Sequence, residues 1–162
     1  MYQRILVPVD GSPTSTRGVD EAISMAKLTG ATVHLVHVLD QMPFAGLETY
    51  TVDILGLLEE AGQAIVQKMK ARVEAAGVPV TTFVSAVLPG RVCDVVLAQA
   101  KESAADLIVI GTHGRRGVGR MLLGSDAEQI VRIAPVPVLL VRAPAPLTVA
   151  DRPTLATELA TS

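Results

Sequence analysis

The chain has 162 residues, 49% of them hydrophobic, and a net charge of −2. This length and apolar content suffice for one globular domain with its own core. The small charge and the scarcity of aromatic residues argue against partners such as DNA, RNA or anionic lipid. The single cysteine excludes an intrachain disulfide and a thiolate zinc site. Without a signal-peptide pattern or a membrane-length apolar run, we expect a cytoplasmic protein with no membrane contact.

The first half of the chain alternates short apolar runs with longer segments of helical periodicity. Residues 5–9 form a continuous apolar run, which is typical of a strand buried on both faces. Ser12 and Pro13 predict the start of a helix, and Gly30 predicts its end. The elements that follow are expected at residues 31–38 (strand), 54–76 (helix) and 78–84 (strand).

The second half continues this alternation and ends in a segment with few bulky side chains. Beyond a third helix, the remaining elements are expected at 107–110 (strand), 125–134 (helix) and 136–141 (strand). Five strands and four alternating helices predict an α/β fold with a parallel sheet and right-handed crossovers. Pro137 has no N–H to donate, so the fifth strand should lie at a sheet edge. We expect a domain over residues 1–142 and a mobile tail over 143–162.

Two loops carry the residues that suit a ligand, and both follow strands. Ligands of open α/β sheets lie beyond the carboxyl ends of the strands, where the strand order reverses. The first loop is Asp10-Gly11-Ser12, in which Asp10 can cap the turn, contact a ribose, or do both. The second loop, residues 111–125, contains five glycines and ends at the start of a helix.

The second loop has the composition of a polyphosphate site. Glycines let backbone N–H groups approach an anion, the helix start adds free N–H groups, and Ser125 adds a hydroxyl. Arg115, Arg116 and Arg120 supply positive charge within the same loop. The alternative is that the glycines only form tight turns and the arginines are solvated. A P-loop is excluded because no Lys-Ser or Lys-Thr ends the loop, and the glycine spacing does not match a dinucleotide site.

The spacing in this loop resembles that of the universal stress protein family. Gly111-Thr-His-Gly114 is followed by nine residues and then by Gly124-Ser125. The segments ILVPVDGS, His37-Val38 and APVPVLLV also match, so the resemblance covers about residues 3–142. It implies a three-layer sandwich whose five parallel strands run in the order 3-2-1-4-5, with the Rossmann-like topology of the adenine nucleotide alpha hydrolases.

The resemblance also implies the ligand and its contacts. The glycine spacing is similar to that of the branch that binds ATP or ADP, with Mg²⁺ as the expected cation. Asp10 would contact the ribose, Pro8 and Val38 would border the adenine, and the glycines with Ser125 would hold the phosphates. The nucleotide-binding residues expected from the motif and the loop together are Pro8, Asp10, Val38, Gly111, Thr112, His113, Gly114, Arg115, Gly124, Ser125 and Asp126.

The sequence also suggests roles for five individual residues. Asp126 follows Ser125, where the family often has an apolar residue; it either needs a bridging Mg²⁺ or compensates the helix dipole together with Glu128. His113 would touch a phosphate or act as a base. His34 and His37 differ in parity along their strand, so we expect opposite faces and structural roles. Cys93 is expected to be a small core residue.

Three functional hypotheses follow from these features. The first is a regulatory module in a stress response that binds ATP or ADP and acts on a protein partner. The second is a slow ATPase or phosphotransferase, although no clear base or catalytic nucleophile is found. The third is an interaction protein with an empty nucleotide pocket. The family resemblance also implies a homodimer through the fifth strand, at Val136, Val138 and Leu140.

Overall fold

The computed structural model describes residues 1–39, 52–86, 91–112 and 124–142. Helices and strands alternate along this part of the chain, as the apolar pattern predicts. The elements are β1 (Arg4–Pro8), α1 (Pro13–Thr29), β2 (Thr32–Leu39), α2 (Val52–Ala75), β3 (Val80–Ala86), α3 (Val92–Glu102), β4 (Leu107–Gly111), α4 (Ser125–Ile133) and β5 (Val138–Val141).

The strands of the described residues form one parallel sheet in the order β3-β2-β1-β4-β5. This confirms the predicted fold class and strand order. The order reverses between β1 and β4, where Ile5 lies opposite Leu107. The carboxyl ends of β1 and β4 therefore meet at one edge of the sheet, which we call the carboxyl edge. Both loops that carry the candidate ligand-binding residues begin there.

The sheet separates two hydrophobic clusters, so the fold has three layers. Ile5 and Val7 of β1, with Val9 just after it, face α1 and α2, whereas Leu6 faces α3 and α4. Several of these aliphatic side chains are fully buried, and each contributes about 1.5–3 kcal/mol relative to an exposed position. Burial on both faces explains why β1 is a continuous apolar run rather than an alternating one.

Helix α1 begins and ends at the residues that the sequence indicates. Ser12 is extended, and its Oγ accepts the Ser15 N–H at 3.1 Å, so it caps the helix before Pro13. Gly30 has a φ of 74°, and its N–H bonds the Ala26 carbonyl at 2.8 Å. The local signals thus place α1, which in turn places the loop after β1.

The fifth strand is shorter than predicted, because it begins at Val138 rather than at Val136. Pro137 contributes only its carbonyl, which accepts the Ile108 N–H at 3.0 Å, and the regular ladder starts one residue later. Val136 lies before the strand and packs against the cluster under α3 and α4. The edge position of β5 is confirmed.

Two further expectations from the sequence concern the tail and membrane-spanning segments. The expected tail, residues 143–162, lies outside the described residues. Within the ranges that are described, no helix has the length and apolarity that crossing a membrane requires.

Candidate functional site

The loop after β1 is a tight turn built around Asp10. One carboxylate oxygen of Asp10, Oδ1, accepts the Ser12 N–H at 2.9 Å, which closes the turn. Gly11 has a φ of 79°, a left-handed conformation that glycine adopts without strain. Asp10 therefore has the capping role considered from the sequence, and its carboxylate lies at the carboxyl edge.

The peptide group between Val9 and Asp10 is held by two side chains. The Val9 carbonyl accepts a hydrogen bond from His37 Nδ1 at 2.6 Å. The Asp10 N–H makes a longer contact of 3.4 Å to Ser15 Oγ. Since the Val9 N–H bonds Val36 O at 2.8 Å, the chain is well ordered by hydrogen bonds up to the turn.

The loop after β4 starts in close contact with the start of α1. A Cβ on Gly111 would lie 2.9 Å from the Thr14 carbonyl carbon and 3.0 Å from its oxygen, so only glycine fits without a shift. This contact brings the end of β4 against the residues that follow Asp10. The start of the second loop therefore lies close to the first loop, although the two are far apart in the chain.

The two ends of the second loop meet. The Gly124 N–H donates to the Thr112 carbonyl at 2.8 Å, and the Thr112 N–H donates to the Val141 carbonyl at 2.9 Å. The first and last glycines of the predicted motif, Gly111 and Gly124, are thereby brought to one place at the carboxyl edge. His113, Gly114 and Arg115, which the sequence also assigns to this loop, lie outside the described residues.

The amino end of α4 opens onto this place. Gly124 is its N-cap, and no side chain within the described ranges caps the helix. The first-turn N–H groups and the positive end of the helix dipole favour an anion here. Ser125 is exposed in this turn, and Asp126 and Glu128 follow it. Carboxylates in the first turn interact favourably with the dipole, which is one of the two roles considered for Asp126.

The charge of Asp126 influences the contact between α3 and α4, where Cys93 lies. Gln129 Oε1, one turn further on, accepts Arg91 Nη1 at 2.7 Å and lies 3.3 Å from Cys93 Sγ. Burial raises the pKa of the Cys93 thiol; the carboxylates of Asp94 and Asp126 raise it further, whereas the Arg91 guanidinium opposes them. The negative charge of Asp126 therefore acts on the Cys93 thiol of α3. Cys93 itself is a buried core residue, as expected.

The residues predicted to border an adenine lie on one face of the sheet. Pro8 is the last residue of β1 and pairs with Val36, and Val38 lies two residues further along β2. Val38 packs against the cluster on the side of α3 and α4, and both residues are half-buried. This part of the carboxyl edge is apolar, in contrast to the polar turn at Asp10.

The two histidines of β2 point to opposite faces, which confirms the parity argument. On the α3 side, His34 Nδ1 lies 2.7 Å from Thr81 Oγ1 and its Nε2 lies 3.3 Å from Gln99 Oε1. His37 contacts Val9 and lies under Gly62 of α2. The described part of the chain contains no group of three or more His, Cys, Asp or Glu side chains that could hold a metal ion.

Sequence reasoning missed the contribution of His37, Ser15 and Gly62 to the loop after β1. The sequence predicts a structural role for His37, and the structure shows that its partner, the Val9 carbonyl, lies one residue before Asp10. A signal was present in Gly62, because a glycine inside a helical pattern often marks a close packing contact. Its hypothetical Cβ would lie 2.8 Å from His37 Cδ2.

Comparison with known proteins agrees with this architecture. The model of the universal stress protein family matches residues 1–142. A universal stress protein of Methanocaldococcus jannaschii is 39% identical over 146 residues, which cover 89% of this chain and 84% of that protein.

Two similar solved structures contain nucleotides. The universal stress protein of Archaeoglobus fulgidus in complex with dAMP has a TM-score of 0.63 and 25% identity, and the match covers 86% of this chain and 98% of the other. A universal stress protein in complex with cAMP has a TM-score of 0.63 and 26% identity over 87% of this chain and 97% of the other. From the family match, the identity of its relatives and the strand order, the chain belongs to the universal stress protein family.

Proposed function

We propose that this chain is a regulatory module that binds ATP or ADP where the loop after β1 meets the loop after β4. The observation that carries the proposal is the hydrogen bond from Gly124 N–H to the Thr112 carbonyl, which joins the two ends of the glycine-rich loop. The contact of Gly111 with Thr14 places this junction beside the Asp10 turn. A ribose and a phosphate chain can then be held by adjacent loops.

Each part of the nucleotide has matching groups among the predicted residues. We assign the ribose to Asp10, the adenine to Pro8 and Val38, and the phosphates to the loop that runs from Gly111 to Ser125. His113, Gly114 and Arg115 enter this assignment by their place in the loop sequence. Mg²⁺ would be held mainly by phosphate oxygens, because the described residues offer no metal cluster of their own.

The similar solved structures support an adenine nucleotide as the ligand, but they do not support two or three phosphates over one. The solved universal stress proteins described above were obtained with dAMP and with cAMP, and each nucleotide has one adenine and one phosphate. The preference of this chain for ATP or ADP is our proposal, based on the glycines and the arginines that its second loop contains. A role in a stress response, a regulated protein partner and a cytoplasmic location belong to the same proposal.

The test is calorimetric titration of the protein with ATP, ADP, AMP and GTP, with and without Mg²⁺. We expect adenine nucleotides to bind, and Asp10→Asn to weaken ATP binding about tenfold or more, since a hydrogen bond to a charged acceptor is lost. Asparagine keeps an Oδ1 that can accept the Ser12 N–H, so the turn is preserved. Glu21→Gln, an exposed carboxylate of α1, is the matched control and should leave the affinity unchanged.

A folded protein that binds no adenine nucleotide at millimolar concentration would reject the proposal. The same material separates the other two hypotheses. Phosphate release above background would indicate hydrolysis, whereas a purified protein that carries no nucleotide and gains none would indicate an interaction protein with an empty pocket.

A further inference from the structure

The peptide group between Val9 and Asp10 is oriented by side chains rather than by the sheet ladder. The last regular hydrogen bond of this part of the chain runs from the Val9 N–H to Val36 O at 2.8 Å. In the next peptide group, the Val9 carbonyl accepts from His37 Nδ1 at 2.6 Å, and the Asp10 N–H contacts Ser15 Oγ at 3.4 Å. The shorter of these two contacts is made by His37.

The position of His37 is itself tightly constrained. Its side chain is buried, with 3% of its surface exposed, and it lies between the sheet and α2. A Cβ on Gly62 would lie 2.8 Å from His37 Cδ2 and 3.0 Å from Nε2, so the helix leaves room for the ring only because residue 62 is glycine. A carbonyl oxygen only accepts, so Nδ1 carries a proton in this arrangement.

We propose that His37 is a positioning residue for the nucleotide, which it affects through the Val9–Asp10 peptide group. The inference rests on the proposed function and deepens it, because Asp10 is the residue assigned to the ribose. The Nδ1–H bond fixes the rotation of the peptide group to which the Asp10 Cα is attached. The direction of the Asp10 carboxylate toward the ribose hydroxyls therefore depends on a side chain of the neighbouring strand.

Removing the Nδ1 donor has a local consequence that differs from general loss of stability. Val9 is buried, so its carbonyl would be left without this donor and the peptide group would rotate toward another one. The Asp10 side chain is attached to this peptide group through its Cα, and its Oδ1 accepts the Ser12 N–H. The rotation would therefore change the direction of the carboxylate. Contacts to the ribose would weaken, whereas contacts to the adenine and the phosphates would remain.

The experiment compares ATP with 2′,3′-dideoxy-ATP, which lacks both ribose hydroxyls, in wild-type protein, His37→Leu and His37→Asn. We expect His37→Leu to weaken ATP binding about tenfold and dideoxy-ATP binding less than about twofold. Asparagine places an N–H donor near the position of Nδ1, so His37→Asn should restore most of the lost ATP affinity. Thermal unfolding of each variant verifies that the protein is folded.

Equal losses for the two nucleotides, or no recovery with asparagine, would overturn the inference while leaving nucleotide binding itself intact. Failure of wild-type protein to bind ATP would instead reject the proposed function. If His37→Leu does not fold, Gly62→Ala provides a second test, since its Cβ would lie 2.7 Å from Leu39 Cδ2 and 2.8 Å from His37 Cδ2 and would displace the imidazole together with the Leu39 side chain. It should weaken ATP binding more than dideoxy-ATP binding, and an equal effect on both would again contradict the proposal.

Discussion

At the residue scale, Gly111 is required by its contact with the backbone of α1. A Cβ there would meet the Thr14 carbonyl group at 2.9–3.0 Å, and a backbone atom cannot move aside as a flexible side chain can. We expect Gly111→Ala to lower the free energy of unfolding by about 1–3 kcal/mol, measured by urea denaturation. Nucleotide affinity should fall as well, because the two loops are pushed apart.

The matched control for Gly111→Ala is Gly56→Ala in α2. No atom lies within 4 Å of the Cβ that this substitution adds. Alanine inside a helix should raise the free energy of unfolding by about 0.5–1 kcal/mol. Equal effects of the two substitutions would mean that the close approach of Gly111 to Thr14 is not significant.

Cys93 provides a prediction about pH. Burial, together with the carboxylates of Asp94 and Asp126, raises the pKa of its thiol above the ordinary value. Below the ordinary thiol pKa of about 8.5, the thiol is protonated in both the folded and the unfolded state. At higher pH the unfolded state loses this proton first, so the stability that the thiol contributes is lost as the pH rises through the folded-state pKa.

We therefore expect the stability advantage of wild-type protein over Cys93→Ala to shrink between about pH 8 and pH 10. Urea denaturation of both proteins at several pH values measures the difference, and the comparison cancels other groups that titrate in this range. An advantage that stays constant or grows with pH would show that the pKa of the thiol is not raised.

The residues of the candidate site could be predicted only in part from the sequence. The Asp10 turn and the return of Gly124 to the end of β4 follow from local turn chemistry and motif spacing. The link from His37 to the Val9 carbonyl depends on β1 and β2 lying side by side. Sequence parity indicates only the face on which His37 lies, and its hydrogen-bond partner is set by tertiary packing.

At the scale of secondary-structure elements, the connection from α3 to β4 contains a residue in an unfavourable conformation. Ala104 has a φ of 48°, which is left-handed, although it is not a glycine. It is held there because its carbonyl accepts Arg4 Nε at 2.9 Å and the Ala105 N–H returns to Ala100 O at 2.8 Å. The left-handed conformation of Ala104 costs free energy, and it allows α3 to end and β4 to begin.

We expect Ala104→Gly to raise the free energy of unfolding by about 0.5–1 kcal/mol, as the relief of strain exceeds the added flexibility of the unfolded chain. Ala98→Gly, at an exposed position inside α3, should lower it by about 1 kcal/mol. Thermal or urea denaturation measures both. A loss of stability in both variants would indicate that the left-handed conformation of Ala104 is not strained.

Element type was more predictable than element bounds. The alternation of apolar runs and helical periodicity is sufficient to predict the order of strands and helices, and Ser12, Pro13 and Gly30 predict both ends of α1. β3 begins at Val80 rather than at Val78, and β5 at Val138, because a strand begins where its neighbour can pair with it. Single-sequence patterns contain no information about that neighbour.

At the scale of the whole molecule, the sheet has β5 at one of its edges, and we propose that a second copy pairs there. Val136 packs against the core, whereas Leu140 is 38% exposed on the strand itself. Leu140→Asp should therefore shift a dimer to monomers, which light scattering coupled to size-exclusion chromatography measures. The control is Leu28→Asp, where the leucine is 83% exposed and belongs to α1 rather than to the edge strand.

A change of mass in both leucine variants, or in neither, would argue against assembly through β5. Circular dichroism of the two proteins distinguishes dissociation from unfolding. A loss confined to Leu140→Asp supports the edge as the contact, since the more exposed leucine would otherwise have the larger effect.

The pairing of β1 with β4 has a consequence for how the protein is made. Ile5 and Leu107 are neighbours in the sheet, so β1 can pair with β2 early, but its second partner, β4, is synthesised much later. Until then, an emerging chain carries Asp10 without Gly111, which packs against Thr14 beside the Asp10 turn in the finished domain. If the chain binds a nucleotide as we propose, capture can occur only after synthesis has passed α4, and the bound nucleotide would favour complete molecules over truncated ones.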